Sequence, residues 1–248
     1  MRNPIVLELE NGGMLYWISR EECTMNGELM EKYAHAKDLY SHRTGLADVY
    51  AARTLFLSLG DDPGATDFVR RCDRLIEYAV GNEVLLGRCD GRPLRWKVLA
   101  ERGRMRLLFA AESMFEAPYN AKLWDTSWQS CTLRRHLNGA FMKACFTPAE
   151  QARIAVSRLE NPRSGKYYTT GGAQTADKLF LLSPAEAEMY LPHPEDRADG
   201  AWWWLRAPGC NLLSAVAVYA DGSVYEMGIH VDYEGCGVRP AMWVSLRV

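Results

Sequence analysis

From about residue 80 onward, the chain alternates short apolar runs with glycine-containing turns. Three runs of strand length are Val84–Gly87, Leu94–Leu99 and Met105–Ala110, and Asp90-Gly91 and Gly103 separate them. Apolar runs of this length between turn signals are typical of neighbouring antiparallel strands. The pattern therefore predicts a β-meander at the start of a β-rich domain.

The preceding residues have a different period. Tyr33, Ala36 and Tyr40 recur at helical spacing, and the segment 60–64 interrupts a second helical stretch before a third begins. Residues 4–19 carry two apolar runs around Asn11-Gly12-Gly13 and are interpreted as a small hairpin. We therefore predict a small, mainly helical N-terminal region over residues 1–79 and a separate domain over residues 80–248.

Helices also interrupt the β-rich domain. Thr147 and Ser183 are each followed by Pro, Ala and Glu, the order that a capping box with proline at the first helical position requires. Another helix is predicted where Leu133, Leu137 and Phe141 recur at four-residue spacing. The apolar segment 178–182 is predicted to be a buried strand. Helices placed between groups of strands indicate an α+β fold.

The last forty or so residues carry a strong hairpin signal. Asp221-Gly222 lies between the apolar runs 215–219 and 223–225, and Asp-Gly between such runs favours a hairpin turn. The flanking segments 202–209 and 237–244 are rich in tryptophan, proline and apolar residues, typical of a scaffold. The residues between them mix chemical types, which is typical of a contact surface.

Composition and charge limit the kinds of partner that the chain is expected to bind. The chain has 248 residues and a formal net charge of -2, with basic residues scattered along it. Nucleic acid is therefore not expected as a partner. No segment reaches the roughly 20 apolar residues of a membrane span, and the first residues do not resemble a signal peptide, so we expect no membrane insertion and a cytoplasmic location.

Familiar catalytic chemistry is missing from the sequence. There is no P-loop, HExxH, GxSxG or dinucleotide-binding glycine motif, and the 5 histidines are dispersed. The 7 cysteines are widely spaced without a CxxC pair, which favours reduced, mostly buried thiols over disulfides or a zinc site. We therefore expect no cofactor and no metal. Arg206 and Arg239 are interpreted as structural residues that hold irregular backbone.

Seven ordered motifs between residues 94 and 243 carry a family resemblance. They are LRWKVL (94–99), APYN (117–120), WQSCTLRRHLN (128–138), FTPAE (146–150), DKLFLLS (177–183), WLRAPG (204–209) and GVRPAMW (237–243). With these motifs the chain resembles the bacterial family called domain of unknown function 6273. The closing motifs are also similar to those of C-type-lectin-like domains, among them formylglycine-generating enzymes and the variable proteins of diversity-generating retroelements.

The resemblance implies a C-type-lectin-like domain, preceded by the helical region, that presents ligand-binding residues between its WLRAPG and GVRPA motifs. In retroelement targets this interval is where asparagine codons are diversified at their adenines. The residue types that such codon changes produce occur here at Cys210, Leu212, Leu213, Tyr219, Asp221, Ser223, Tyr225, Ile229, His230, Asp232 and Tyr233. We expect these side chains to bind a protein or other macromolecular ligand without catalysis.

Two alternatives stay open. The first is a cysteine-dependent or metal-dependent enzyme similar to formylglycine-generating enzymes and using Cys210 or Cys236, although the catalytic cysteines of those enzymes are close together in sequence and these two are not. The second is a structural module whose partner binds the helical region 1–79. The calcium-dependent sugar motifs of animal lectins are missing, so the resemblance implies neither calcium nor sugar.

Overall fold

The structure is a computed structural model that describes residues 20–246, with side chains described from residue 27 onward. The hairpin predicted over residues 4–19 lies outside the described residues. The chain divides into two compact units, one ending at Ala79 and one beginning at Val80. Helices and strands are both abundant and largely separate along the chain, so the predicted α+β class is confirmed.

Three helices make up the described part of the first unit. They are α1 (Arg20–Ser41), α2 (Leu46–Leu57) and α3 (Pro63–Glu77). The side chain of Asp62 caps α3 by accepting a 2.7 Å hydrogen bond from the Ala65 amide, and Pro63 occupies the first turn. Phe56 and Phe68 stack with their ring centroids 4.7 Å apart, and Tyr33 packs edge-on against both. The helices are therefore joined through an aromatic core.

The second unit contains the strands of the described chain. They are β1 (Glu83–Cys89), β2 (Arg92–Arg102), β3 (Met105–Ala110), β4 (Phe115–Glu116), β5 (Ser157–Leu159), β6 (Thr175–Asp177), β7 (Trp203–Pro208), β8 (Ser214–Val218), β9 (Val224–His230), β10 (Gly237–Val238) and β11 (Ala241–Ser245). One sheet has the order β1-β2-β3-β11, a second has the order β4-β10-β7-β8-β9, and β5 pairs with β6. The predicted meander β1-β2-β3 is confirmed, with Asp90 and Gly91 at φ values of 48° and 77° in its first turn.

The helices of the second unit are short, and the two that follow Thr147 and Ser183 begin where the sequence predicts. They are α4 (Thr132–His136), a π-helical turn (Leu137–Phe141), α5 (Met142–Cys145), α6 (Pro148–Arg153), α7 (Pro184–Tyr190) and α8 (Pro194–Arg197). Both predicted capping boxes are present, at Thr147 and Ser183. Leu133, Leu137 and Phe141 are all buried, as their spacing predicts.

The segment 178–182 is buried but is not a strand, so that prediction is wrong. Only Phe180 makes a β-bridge, to Ala241. The other backbone groups of the segment bind elsewhere: the amides of Lys178 and Leu179 donate to the Asn138 side chain at 2.8 and 3.1 Å, and the Leu181 carbonyl accepts from Arg206. Because side chains occupy its hydrogen-bonding groups, the segment cannot form a continuous ladder.

The prediction of reduced, mostly buried thiols is wrong for two cysteines, whereas Cys72, Cys131, Cys210 and Cys236 are free and three of these four are buried. Cys89 at the end of β1 and Cys145 at the end of α5 form a disulfide, with their Cα atoms 4.6 Å apart. The two residues are separated by 56 positions, and packing of α5 against β1 brings them together. Spacing along the chain therefore contains no signal for this pair. Among the described residues, no helix has both the length and the apolarity needed to cross a membrane.

Candidate ligand-binding surface

The residues predicted to bind ligand form the candidate surface, which lies on and beside the second sheet. Strand β7 of this sheet contains two buried tryptophans. Trp203 and Trp204 are both fully buried, and their indole N–H groups donate to the carbonyls of Arg197 and Ala117 at 2.9 and 2.8 Å. Neighbouring residues of a strand point to opposite faces, so these two rings fix the sheet from both sides. Trp202, just before the strand, is partly exposed.

The segments 202–209 and 237–244 flank the candidate surface, and we call them its borders. Arg239 lies in the second of them. It is 1% exposed and donates to the carbonyls of Ala110, Ala111 and Arg197 at 2.9–3.2 Å. Its guanidinium also lies over the rings of Phe109 and Trp203, 4.5 and 5.0 Å from their centroids. Burial lowers the pKa of Arg239 to about 10. The structural role predicted for this residue agrees with these contacts, which join β10 and β11 to the rest of the domain.

Arg206 has a comparable position in β7. Its guanidinium forms an ion pair with Glu186 at 2.5 Å and donates to the Leu181 carbonyl at 2.8 Å. Burial by itself would raise the pKa of Glu186, but hydrogen bonds and charge from Arg206, together with the Ser183 amide, outweigh it and lower the pKa. The cap of α7 is therefore tied to β7 by a charged contact.

The predicted hairpin is confirmed as β8–β9. Its tip runs from Tyr219 to Ser223, whose carbonyl accepts from the Tyr219 amide at 2.8 Å. Asp221 stabilises the tip by accepting hydrogen bonds from the amide and hydroxyl of Ser223, which also lower the pKa of Asp221. Gly222 has a φ of 87°, and a Cβ there would lie 1.7 Å from the Pro194 carbonyl oxygen. The tip is therefore packed tightly against α8.

Arg197 fixes this tip and was missed by sequence reasoning. It is 6% exposed, and its Nε donates to the Gly222 carbonyl at 2.8 Å while its carbonyl accepts from Trp203 and Arg239. One residue thus links the hairpin tip to both borders of the surface. A single arginine in a charged, proline-containing segment carries no sequence signal for this role.

The loop between β7 and β8 is anchored by backbone contacts. The Cys210 amide donates to the Met227 carbonyl at 2.8 Å, and the Leu212 carbonyl accepts from the Thr126 amide at 2.9 Å. Asn211 accepts from the Leu213 amide at 2.9 Å through its side chain. The backbone of this loop is therefore constrained, while the side chains of Cys210, Leu212 and Leu213 remain partly exposed.

None of the residues predicted to bind ligand is buried. Exposed members are Asp221, His230, Asp232 and Tyr233, and partly exposed members are Cys210, Leu212, Leu213, Tyr219, Ser223, Tyr225 and Ile229. The structure brings Tyr219 and Tyr225 together, with ring centroids 5.0 Å apart, and Trp202 packs edge-on against Tyr219 at 4.4 Å. The Met227 side chain is 47% exposed, and its sulfur accepts from the Tyr225 hydroxyl at 3.4 Å. We call Trp202, Tyr219, Tyr225 and Met227 the aromatic face.

The interval 210–236 is nevertheless not one continuous surface. The segment 214–218, which is strand β8, is entirely buried, as are Gly222, Val231 and Cys236. Cys236, one of the two thiols named in the enzyme alternative, is therefore not at the exposed face, because its thiol is enclosed in the domain. Alternation along β8 cannot reveal this, since the strand is paired on both sides and packed on both faces.

Sequence reasoning also missed a cleft beside the hairpin. A cavity of about 170 Å³ lies between the polar loop 161–171, the start of α7 and the strands β7 to β9. Its lining includes Arg163, Ser164, Ala207, Val216 and Glu226. The glycine-rich loop after Asn161 was the only available signal, and nothing in its sequence places it against β9.

Two buried thiols of the domain, Cys131 and Cys236, are poorly suited to nucleophilic chemistry. Burial raises the pKa of Cys131 to about 12 and raises the pKa of Cys236 as well, so both thiols are protonated at neutral pH. The Cys210 sulfur lies 3.7 Å from the Ser214 hydroxyl and has no cationic partner within the described part of the chain. Across that same part, no three His, Cys, Asp or Glu side chains gather as a metal site.

Comparison with known proteins gives one family. A family described as Domain of unknown function (DUF6273) matches residues 103–246. The matched segment includes β3, both capping boxes and the whole candidate surface. No curated protein and no solved structure was found to match the chain.

Proposed function

The chain belongs to the DUF6273 family, and from the geometry of its surface we propose that residues 80–248 are a ligand-binding domain without catalytic activity. We further propose that the domain has a C-type-lectin-like fold. Its ligand is a protein or other macromolecule, bound by the aromatic face and the loops beside it.

A single observation carries this proposal: partly exposed side chains of mixed type lie on a backbone that is held from beneath. Tyr219, Tyr225 and Tyr233 present rings at the surface, while Arg197, Arg206 and Arg239 fix the strands below them. Tyrosine supplies large contact area with few rotatable bonds, which is why it is common in protein-binding surfaces. A rigid support also lowers the entropic cost of binding.

We also propose that the surface is the variable region of a diversity-generating retroelement target. The candidate positions have residue types that follow from adenine changes in an asparagine codon, whereas Glu226, Met227 and Glu234 do not. None of these candidate positions is buried, so substitution there leaves the core intact. The genomic test is the presence of a reverse transcriptase gene and a near-copy of this coding segment beside the gene. A neighbourhood with neither would count against diversification but not against binding.

The binding proposal is tested with a partner captured from extract of the source organism and then purified. We expect the variant with Tyr219→Ala, Tyr225→Ala and Tyr233→Ala to bind this partner at least about tenfold more weakly than wild type in calorimetric titration, because the variant loses its aromatic anchors. The control replaces Tyr50, Leu85 and Met189, which are exposed large side chains outside the surface, by alanine. Equal affinity of wild type and the tyrosine variant would reject this site.

The alternative function, a cysteine-dependent or metal-dependent enzyme, is tested separately. Metal analysis of the purified protein is combined with thiol-reactivity measurements on Cys210→Ser and Cys236→Ser variants. The buried, protonated Cys236 supports the non-enzymatic proposal. A stoichiometric metal or an unusually reactive Cys210 thiol would favour the enzyme instead.

A further inference from the structure

The cleft beside the hairpin lies away from the aromatic face. Val216 of β8 and Glu226 of β9 line the cleft, together with the polar loop 161–171. Side chains alternate along a strand, so Glu226 projects from the face of β9 opposite its neighbour Tyr225. The cleft is therefore separate from the rings that we assign to the macromolecular ligand.

This cleft has a buried floor and an exposed rim. Among its lining residues, Pro208 and Val216 are buried, whereas Pro162, Ala185 and Glu226 are exposed. Its volume of about 170 Å³ corresponds to that of about five or six water molecules in the liquid. The cleft therefore has room for one small chemical group that enters from solvent.

The polar loop forms one wall of the cleft and is held in place by its own contacts. A Cβ at Gly171 would lie 2.2 Å from the Asn161 carbonyl oxygen and 2.3 Å from the Pro162 carbonyl oxygen. The Ser164 amide donates to the Thr169 carbonyl at 2.8 Å. The two ends of the loop are thus in contact, and the wall exists without a ligand.

Asn161, at the start of this loop, has an acceptor without a donor. The residue is 8% exposed, and its Nδ2 donates to the Ala173 carbonyl at 2.7 Å. Its Oδ1 has no hydrogen-bond partner within the described chain. Reversing the side-chain amide would place Oδ1 against the Ala173 carbonyl, which cannot donate, so the oxygen is the unpaired end.

Arg206 has the complementary defect on the β7 side. It is 4% exposed, and its terminal nitrogens donate to the Leu181 carbonyl and to Glu186, which balances its charge. Its Nε–H finds no acceptor among the described residues. Nearly all buried polar groups in native proteins have a partner. Because Asn161 and Arg206 both line the cleft, the cleft is where their missing partners can be supplied.

We propose that the cleft binds an uncharged carboxamide group on a short apolar stem. The carboxamide N–H donates to Asn161 Oδ1 and its oxygen accepts from Arg206 Nε, so one group supplies both missing partners. A carboxylate at neutral pH has no proton to donate, and an ammonium group has no acceptor. The stem packs against Pro208 and Val216. The group belongs either to a free small molecule or to a glutamine side chain of a protein, and this site is additional to the surface proposed above.

The probes are isobutyramide, isobutyrate and isobutanol, which share a branched apolar stem and differ in the polar group. Each is titrated into the ¹⁵N-labelled full chain, and NMR follows the amides of Gly165, Gly171 and Ala207, three lining residues. We expect saturable shifts with isobutyramide and at least about tenfold weaker binding of the other two, since isobutyrate lacks a donor and isobutanol has one oxygen for two partners. Equal binding of the three probes, or no saturable shift with isobutyramide, would overturn the inference.

A pair of alanine variants tests whether the cleft is the site. Ala185 is exposed at the rim and follows the first proline of α7, so Ala185→Trp should close the cleft and abolish the isobutyramide shifts. Ala149 is exposed at the equivalent position of α6, which has the same capping box, and Ala149→Trp should bind as wild type. Unchanged binding by Ala185→Trp, or equal loss in both variants, would reject the cleft.

Arg206→Lys tests the hydrogen bond itself. Lysine keeps a positive charge for Glu186 but has no counterpart of the Nε–H group. We expect affinity for isobutyramide to fall at least about fivefold in the folded variant. Wild-type affinity in a folded Arg206→Lys protein would reject the proposed contact, and if this variant does not fold, the alanine pair decides.

Two blocked tripeptides identify the source of the carboxamide. They are acetylated Gly-Gln-Gly and Gly-Glu-Gly with C-terminal methylamides, titrated in the same way. Preferential binding of the glutamine peptide would support a protein side chain as the ligand, and binding of isobutyramide alone would support a free small molecule. Equal binding of both peptides would mean that the peptide main chain occupies the cleft, and would reject the proposed carboxamide side-chain ligand.

Discussion

The borders of the candidate surface and the surface itself are both rich in aromatic residues, yet they use these residues in opposite ways. In the borders, the polar N–H groups of Trp203 and Trp204 reach backbone carbonyls and both rings are fully buried. On the surface, the Tyr225 hydroxyl donates a hydrogen bond to the Met227 sulfur, and Tyr233 is 49% exposed. Aromatic content therefore does not separate core from contact surface, whereas the partners of the polar atoms do.

The arginines show the same contrast. The borders contain Arg206 and Arg239, which are buried and bind carbonyl groups, while the sequence between them contains no lysine or arginine. These arginines thus hold the backbone rather than contact a ligand at the candidate surface. Rigid borders allow the exposed side chains to differ without changing the position of the strands that carry them.

The largest effect is expected from removing a border arginine. Arg239→Leu should lower the free energy of unfolding by about 3–5 kcal/mol, because the carbonyls of Ala110, Ala111 and Arg197 lose a buried donor. Guanidinium denaturation followed by tryptophan fluorescence measures this, since the described tryptophans all lie in the second unit. The control Arg92→Leu alters an exposed arginine and should change stability by less than about 0.5 kcal/mol. Similar values for both variants would mean that the buried contacts of Arg239 do not hold the border in place.

A smaller effect is expected at the hairpin tip, where Gly222 packs against α8. Gly222→Ala should cost about 2–4 kcal/mol, since it adds both left-handed strain and a clash with the Pro194 carbonyl. Gly91 is the matched control: its φ is 77°, and a Cβ added there would have no atom within 4 Å. Gly91→Ala should therefore cost only about 1–2 kcal/mol. If the two substitutions cost the same in denaturant titrations, the tip is not packed against α8.

The smallest effect is expected on the surface. Tyr233→Ala removes a whole exposed ring and should change the free energy of unfolding by less than about 0.5 kcal/mol. Tyr119→Phe removes only the buried hydroxyl that donates to the Arg206 carbonyl at 2.9 Å, and should cost about 1 kcal/mol. Thermal and denaturant unfolding of the two variants gives the comparison. A larger loss from Tyr233→Ala would mean that this ring is part of the core.

Much of the local structure was predictable from sequence. The capping boxes at Thr147 and Ser183 and the β8–β9 hairpin each depend on residues within a few positions of one another. Such signals are complete in a short window, because the hydrogen bonds that they describe join near neighbours. The candidate binding residues were chosen by residue type between two motifs, and the structure leaves all of them at least partly exposed.

The remaining features depend on residues that are distant in sequence. The Cys89–Cys145 disulfide, the contact of Arg197 with the hairpin tip and the burial of Cys236 all require elements separated by tens of residues to pack together. The segment 178–182 is apolar enough for a strand, but Asn138 and Arg206 take its hydrogen-bonding groups. The sequence by itself determined where helices and turns begin, since those interactions are local. Only the tertiary structure decided which arginines, cysteines and rings are buried, because burial depends on the residues, distant in sequence, that pack against them.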